Sequence, residues 1–164
     1  MPETILSVPP ADGLFLEDLA AGQSFRSQGR TITEADLTMF SMLSGDWNPI
    51  HSDAEFAKAT PFGERLVHGV FGIAVVTGLM DQAGWFRTSA IAMLDIEGWK
   101  FALPITIGDT LTCRMDITSV RRTSKGDAGV VGRRFTLENQ HGKAVQSGDI
   151  GMLVRVRTIG EGNN

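Results

Sequence analysis

The sequence predicts an α+β domain in which one long apolar helix is wrapped by an antiparallel sheet. Two observations carry this. The run "VFGIAVVTGLMDQAG" near the middle of the chain is longer than an ordinary strand, and from Ala90 onward the hydrophobic period changes to two through four successive segments. A sheet and a helix in that order must cover one another, because neither apolar surface is buried alone.

In chain order, residues 1–13 are rich in Pro and small residues and read as an N-terminal extension. Residues 160–164 read as a flexible tail, leaving a single domain over residues 14–159. "GQSFRSQGRTIT" alternates loosely and is a first strand. "TEADLTMFSMLSG" places Leu37, Phe40 and Met42 or Leu43 at helical spacing, with Thr33 as N-cap and Gly45 as stop. "SDAEFAKAT" is a short capped helix. The long apolar run contains Val, Ile, Gly72 and Gly78, each glycine costing a helix roughly 1 kcal/mol relative to alanine, yet its length assigns it to a helix. Gly69, Gly72, Ala74, Thr77 and Gly78 let a sheet or a ligand approach its backbone closely. The alternating segments "AMLDIEGWKF", "DTLTCRMDITSVRR", "AGVVGRRFTLENQ" and "AVQSGDIGMLVRVR" are separated by "LPITIGD", "TSKGD" and "HGK". They read as a meander of long antiparallel strands.

Fifteen basic against 19 acidic side chains give a net charge of −4, which disfavours nonspecific attraction to nucleic acid or an anionic membrane. The single cysteine, Cys113, closes no intramolecular disulfide, so a stapled secreted scaffold is excluded and a cytoplasmic setting is expected. The first residues lack a basic segment followed by a long apolar run, and no stretch is apolar for the roughly 20 residues a bilayer demands. A soluble, unprocessed protein is expected.

The stretch "SGDWNPIH", Ser44 to His51, gathers a carboxylate, an amide, a proline and an imidazole. Pro49 fixes its own backbone angle and pushes Asn48 toward an extended conformation, which makes a rigid bend between Asp46 and His51. A carboxylate and an imidazole within reach of one water can orient it and pass protons, and histidine titrates in the range that suits the task. The competing reading is turn chemistry, with Asp46 as a cap and His51 solvated. No metal is predicted: His51, His68 and His141 are the only histidines, and none has a partner at a spacing metals favour. A second cluster, "FGERLVHG", immediately precedes the long helix. A helix beginning near Gly69 offers backbone N–H groups without internal acceptors, a clamp for an oxyanion or carbonyl. His68 there reads as a packed or capping side chain.

Ser44-Gly45-Asp46, Asn48-Pro49-Ile50-His51, Asp53, Pro61-Phe62-Gly63 and Val67-His68-Gly69 together resemble the MaoC-like, (R)-specific enoyl-CoA hydratase group of hotdog-fold proteins. The resemblance implies a hotdog fold, two units pairing into a homodimer or a higher homo-oligomer, and an acyl-CoA thioester as substrate with no separate cofactor. It implies a hydro-lyase that adds water in syn fashion to a trans-2-enoyl-CoA, giving an (R)-3-hydroxyacyl-CoA, or runs the reverse dehydration. Asp46 and His51 would then hold and activate the water, and Gly69 would donate its N–H to the thioester carbonyl. Asn48 and Pro49 would support the motif, and Thr77 would line the acyl pocket. Trp47 and Val70 depart from the group's commonest form, Val70 standing where methionine is frequent. Both bear on pocket shape, so short, branched or carboxylated acyl groups are all admissible.

For the CoA phosphates, the cation cluster Arg121, Arg122, Lys125, Arg133 and Arg134 is one candidate and a solvated strand face the other reading. Lys100 is a weaker candidate. Trp99 and Phe101 share a strand side and are core, dimer contact or acyl wall. Two other functions compete. Hotdog thioesterases usually carry a carboxylate on or beside the central helix, whereas here none lies between Val70 and Met80 and Asp81 comes only at the end. A noncatalytic acyl-CoA-binding subunit would keep the motif as structure.

Overall fold

The computed structural model describes residues 5–6 and 9–157. Thr33 accepts a hydrogen bond from the Asp36 N–H while the Asp36 carboxylate accepts from the Thr33 N–H, so a capping box opens α1 (Glu34–Ser44). Gly45, at φ 74°, closes it in the left-handed conformation that other residues resist. Of the predicted apolar face, Leu37 is buried and Phe40 half-buried, whereas Met42 and Leu43 are 70% and 83% exposed. α1 is therefore attached along a narrow stripe. α2 (Pro49–Ser52) and α3 (Ala54–Lys58) follow, and Asp53 caps α3 by accepting from the N–H groups of Glu55 and Phe56.

The predicted long helix is α4 (Gly69–Gln82). The sheet comprises β1 (Ile5–Leu6), β2 (Ser24–Arg26), β3 (Arg30–Thr31), β4 (Ala90–Phe101), β5 (Thr110–Arg122), β6 (Ala128–Glu138) and β7 (Ala144–Arg155). The spatial order is β1-β2-β5-β6-β7-β4, with β3 also pairing β5. Phe71, Val75, Val76 and Leu79 of α4 pack against the inward rows of β5, β6 and β7, among them Met115, Phe135 and Ile150. This is the hotdog arrangement.

Two expectations change. The four long strands are not a simple meander: β4 pairs with β7 and not with β5. Residues 102–109 form no hairpin, because Val67 donates to the Ile105 carbonyl at 2.8 Å and Leu66 bridges Thr106. The segment is tied to the entrance of α4 and carries the chain from the sheet edge to its centre. The predicted extension also contributes structure, since Ile5–Leu6 pairs in parallel with β2 and the Asp12 carbonyl accepts from the Thr88 hydroxyl. The predicted tail at residues 160–164 lies outside the described residues. No helix among those described is long and apolar enough to cross a membrane.

Candidate active site

Between α1 and α2 the chain is locked by its own polar side chains. The Asp46 N–H donates to Ser44 Oγ, the Asn48 N–H to Asp46 Oδ1, and the Ile50 N–H to Asn48 Oδ1. Asn48 is thus the N-cap of α2, and Pro49 occupies the first helical position, where its missing N–H costs nothing. These turn residues do make a turn, and its product is the placement of His51. The imidazole Nδ1 donates to the Leu66 carbonyl at 2.7 Å, which leaves the Nε2 lone pair free. Nε2 faces Asp46 Oδ2 at 3.8 Å. That separation is too long for a direct hydrogen bond and suits one water bridging both atoms. Asp46 is half-exposed, while the His51 side chain is largely covered.

His68 is 3% exposed. Its Nε2 donates to the Asp46 carbonyl at 3.0 Å and also lies 3.4 Å from Ser41 Oγ. Its ring stacks on that of His51 at 3.8 Å between centroids, inclined by 26°, and tilts against Phe40. It is packed, as the sequence suggested, and it also clamps the backbone of Asp46. Asp46, His51 and His68 hold ligand-type atoms within 4.8 Å of one another. They fit a metal poorly, since nearly parallel stacked rings aim their in-plane lone pairs side by side and one His68 nitrogen is committed as a donor.

Gly69 opens α4 with His68 as N-cap. Its N–H has no acceptor among the described residues and lies at the positive end of the helix dipole. Gly69 and His51 line the same cavity of about 380 Å³, whose remaining wall includes Phe62, Val67, Phe101, Leu103, Ile105 and Gln146. His51 and Gly69 therefore share the wall of one apolar hollow, while Asp46 lies outside its lining. Phe101 belongs to that wall: a Cβ on Gly69 would lie 3.1 Å from its ring. Trp99 instead donates its indole N–H to Gln146 Oε1 at 3.0 Å.

Other predicted residues do not gather there. Trp47 is 52% exposed, and Thr77 donates to the Ala74 carbonyl along α4; neither lines the cavity. Arg121, Arg122 and Lys125 lie at the far end of β5 from the 102–109 crossing, roughly 35 Å away at strand rise. Arg122 pairs with Glu17, and Arg134 makes a two-pronged pair with Asp149 that holds the Asp149 carboxyl below its usual range. Arg133 is no phosphate ligand. It is 1% exposed in the inward row of β6, donates to the Ile150 carbonyl and contacts the Phe86 and Phe135 rings, and burial lowers its pKa to about 10.

The sequence profile described as MaoC like domain matches residues 18–139. Protein MaoC of Klebsiella aerogenes is 39% identical over 111 residues, which cover 68% of this chain and 32% of that protein. The chain thus spans about a third of that relative's length. The (R)-specific enoyl-CoA hydratase of Rhodospirillum rubrum is 34% identical, over 67% of this chain and 76% of the relative. Among solved structures, the MaoC-like dehydratase from Rhodospirillum rubrum superposes with a TM-score of 0.78 at 27% identity, covering 88% of this chain and 99% of that one.

Proposed function

The chain belongs to the MaoC like domain family, and from that premise we propose that it is a hydro-lyase adding water reversibly to a trans-2-enoyl-CoA or a related enoyl thioester. The observation that carries this reading is the 3.8 Å gap between Asp46 Oδ2 and His51 Nε2, with His51 lining the same cavity as Gly69 and its uncommitted N–H. Relatives named as (R)-specific enoyl-CoA hydratase and 3-hydroxybutyryl-CoA dehydratase support the reaction class.

In this mechanism a water sits between Asp46 and His51. One of its O–H bonds breaks toward the pair as its oxygen bonds to the β-carbon, and electron density moves to the thioester oxygen, where the Gly69 N–H receives it. The proton then passes to the α-carbon on the same face, which gives syn addition; the (R) configuration of the product follows the relative named as an (R)-specific enoyl-CoA hydratase. A preorganised donor to the oxygen contributes about 3 kcal/mol of barrier lowering, and positioned acid–base groups add roughly 100-fold to 10,000-fold. No metal or cofactor enters the scheme.

The same premise extends to assembly. The outer edge of β4 is unpaired among the described residues, and Ile91, Met93 and Ile96 along it are 42–48% exposed. Such an edge invites pairing, and a second copy of β4 running antiparallel supplies matching backbone groups and side chains. Sedimentation of the wild type as a dimer and of Ile96→Lys as a monomer is the expected pair of results.

The experiment for the activity is a panel of crotonyl-CoA with longer, branched and dicarboxylic enoyl-CoAs, read by the chirality of the hydroxyacyl product. Hydration giving the (R) product is expected. Thiol release without hydration assigns a thioesterase, and binding without turnover assigns a noncatalytic subunit.

A further inference from the structure

We propose that Gln146 is a positioning residue that holds the thioester-binding turn of α4 in its working orientation, an assignment that rests on the hydratase reading of the site. Gln146 occupies an inward-facing position of β7, in phase with Ile150, Met152 and Val154, where the alternation calls for an apolar side chain. It is instead an amide, 2% exposed. A buried amide is retained without cost only when its donors and acceptors are met, and both of its ends are. Its Oε1 accepts from Trp99 Nε1 at 3.0 Å, and its Nε2 donates to the Gly69 carbonyl at 2.9 Å.

The bridge runs from β4 through β7 into the first residue of the helix whose N–H faces the cavity. Gly69 has no Cβ to restrict its rotation, so its peptide planes need an external hold, and the Gln146 bond supplies one. Gly72 makes room for this. A Cβ there would lie 2.5 Å from Gln146 Cδ. The preceding residue, Val145, is an extra one in the β6–β7 register, and its carbonyl accepts from the N–H groups of both Ala102 and Leu103. The same short piece of β7 therefore fixes the carbonyl donor and the cavity wall opposite it.

Gln146→Met fills the space without either bond, and Trp99→Phe removes only the outer anchor. The expected result for Gln146→Met is a fall in kcat of about tenfold or more, with KM changed far less and a melting transition retained. Trp99→Phe moves the same way by a smaller factor. The direct readout is infrared: bound butyryl-CoA carrying a ¹³C-labelled thioester carbonyl cannot be hydrated, and its carbonyl stretch shifts down in the wild type and less in Gln146→Met. Gln146→Glu gives a separate signature. When protonated, its carboxyl accepts from Trp99 and donates to Gly69; when ionised, it has lost the donor. Burial raises the pKa of such a carboxyl, so its kcat relative to wild type at the same pH rises as pH falls. A folded Gln146→Met with unchanged kcat and carbonyl stretch overturns the proposal, as does a wild type with no carbonyl shift. A wild type that shifts the carbonyl yet hydrates no enoyl-CoA overturns the hydratase reading and leaves Gln146 as the residue orienting a thioester-binding turn.

Discussion

Gly72→Ala and Gly78→Ala place the same methyl group on the same helix and are expected to act in opposite directions. At Gly78 the added Cβ meets nothing within 4 Å, so only the helix preference of alanine counts, a gain of about 1 kcal/mol. At Gly72 the Cβ arrives 2.5 Å from Gln146 Cδ, where ordinary contact needs roughly 3.5 Å or more. Either α4 lifts from the sheet or the amide swings away, and both hydrogen bonds of Gln146 are lost, at about 1 kcal/mol each. Overpacking a closed contact adds about 2 kcal/mol, and the alanine preference returns about 1 kcal/mol. The net is a destabilisation of about 3 kcal/mol. For a domain of this size that is a fall in Tm of roughly 6–12 °C, against a rise of roughly 2–4 °C for Gly78→Ala. Reversible thermal unfolding followed by circular dichroism measures both. Equal shifts in the two variants, or a stabilised Gly72→Ala, would refute the claim that Gly72 exists to admit Gln146.

Asp46→Ala and His51→Ala are each expected to lower kcat by roughly 100-fold to 10,000-fold, with the melting curve nearly unchanged for half-exposed Asp46 and lowered for His51, which is largely covered and bonded to the Leu66 carbonyl; steady-state hydration kinetics and calorimetry separate the two effects. His68→Phe keeps the ring against His51 and Phe40 but removes the donor to the Asp46 carbonyl, so kcat is expected to fall, whereas a residue that merely packs would tolerate the change. Burial pushes the Cys113 thiol from 9.0 up to about 12. Below pH 9 it is protonated whether folded or unfolded, and above that the unfolded chain alone releases the proton. Its contribution to stability is therefore full below pH 9 and declines as pH rises toward 12, by up to about 1.4 kcal/mol per pH unit. Denaturant titrations from pH 8 to 10, over which the Arg133 ionisation near 10 acts on both proteins, should show wild type losing stability relative to Cys113→Ala, and parallel curves would contradict the assignment.

Much of the fold was legible because local chemistry and tertiary packing agree. Thr33 and Gly45 bound α1 as their side chain and its absence dictate, and period-two burial runs through β5, β6 and β7. What sequence could not convey was which strands are neighbours. Alternation describes a strand's faces and says nothing of its edges, so β4 looked like the partner of β5. The signal that β4 lies at the rim is weak and lies in its faces: Ile91, Met93, Leu94 and Ile96 follow no clean alternation, and the register to β7 shifts at three places.

The site divides along the same line. Asp46, His51 and Gly69 were legible because turn chemistry and a helix start are local events, each written in consecutive residues. The parts that hold them are long-range. His51 is aimed by the Leu66 carbonyl, Asp46 by His68 across 22 positions, and Gly69 by Gln146 across 77. Backbone carbonyls leave no trace in composition, so the first was invisible. Gln146 did leave one: a polar amide in phase with the apolar row of "AVQSGDIGMLVRVR" is out of place unless something in the core answers it. A small residue on the helix at Gly72 is the complementary mark, since a side chain that must reach a helix backbone needs a position without a Cβ. Reading the two together, an inward polar residue on a strand and a glycine on the facing helix, locates a support for the site that the motif itself does not contain.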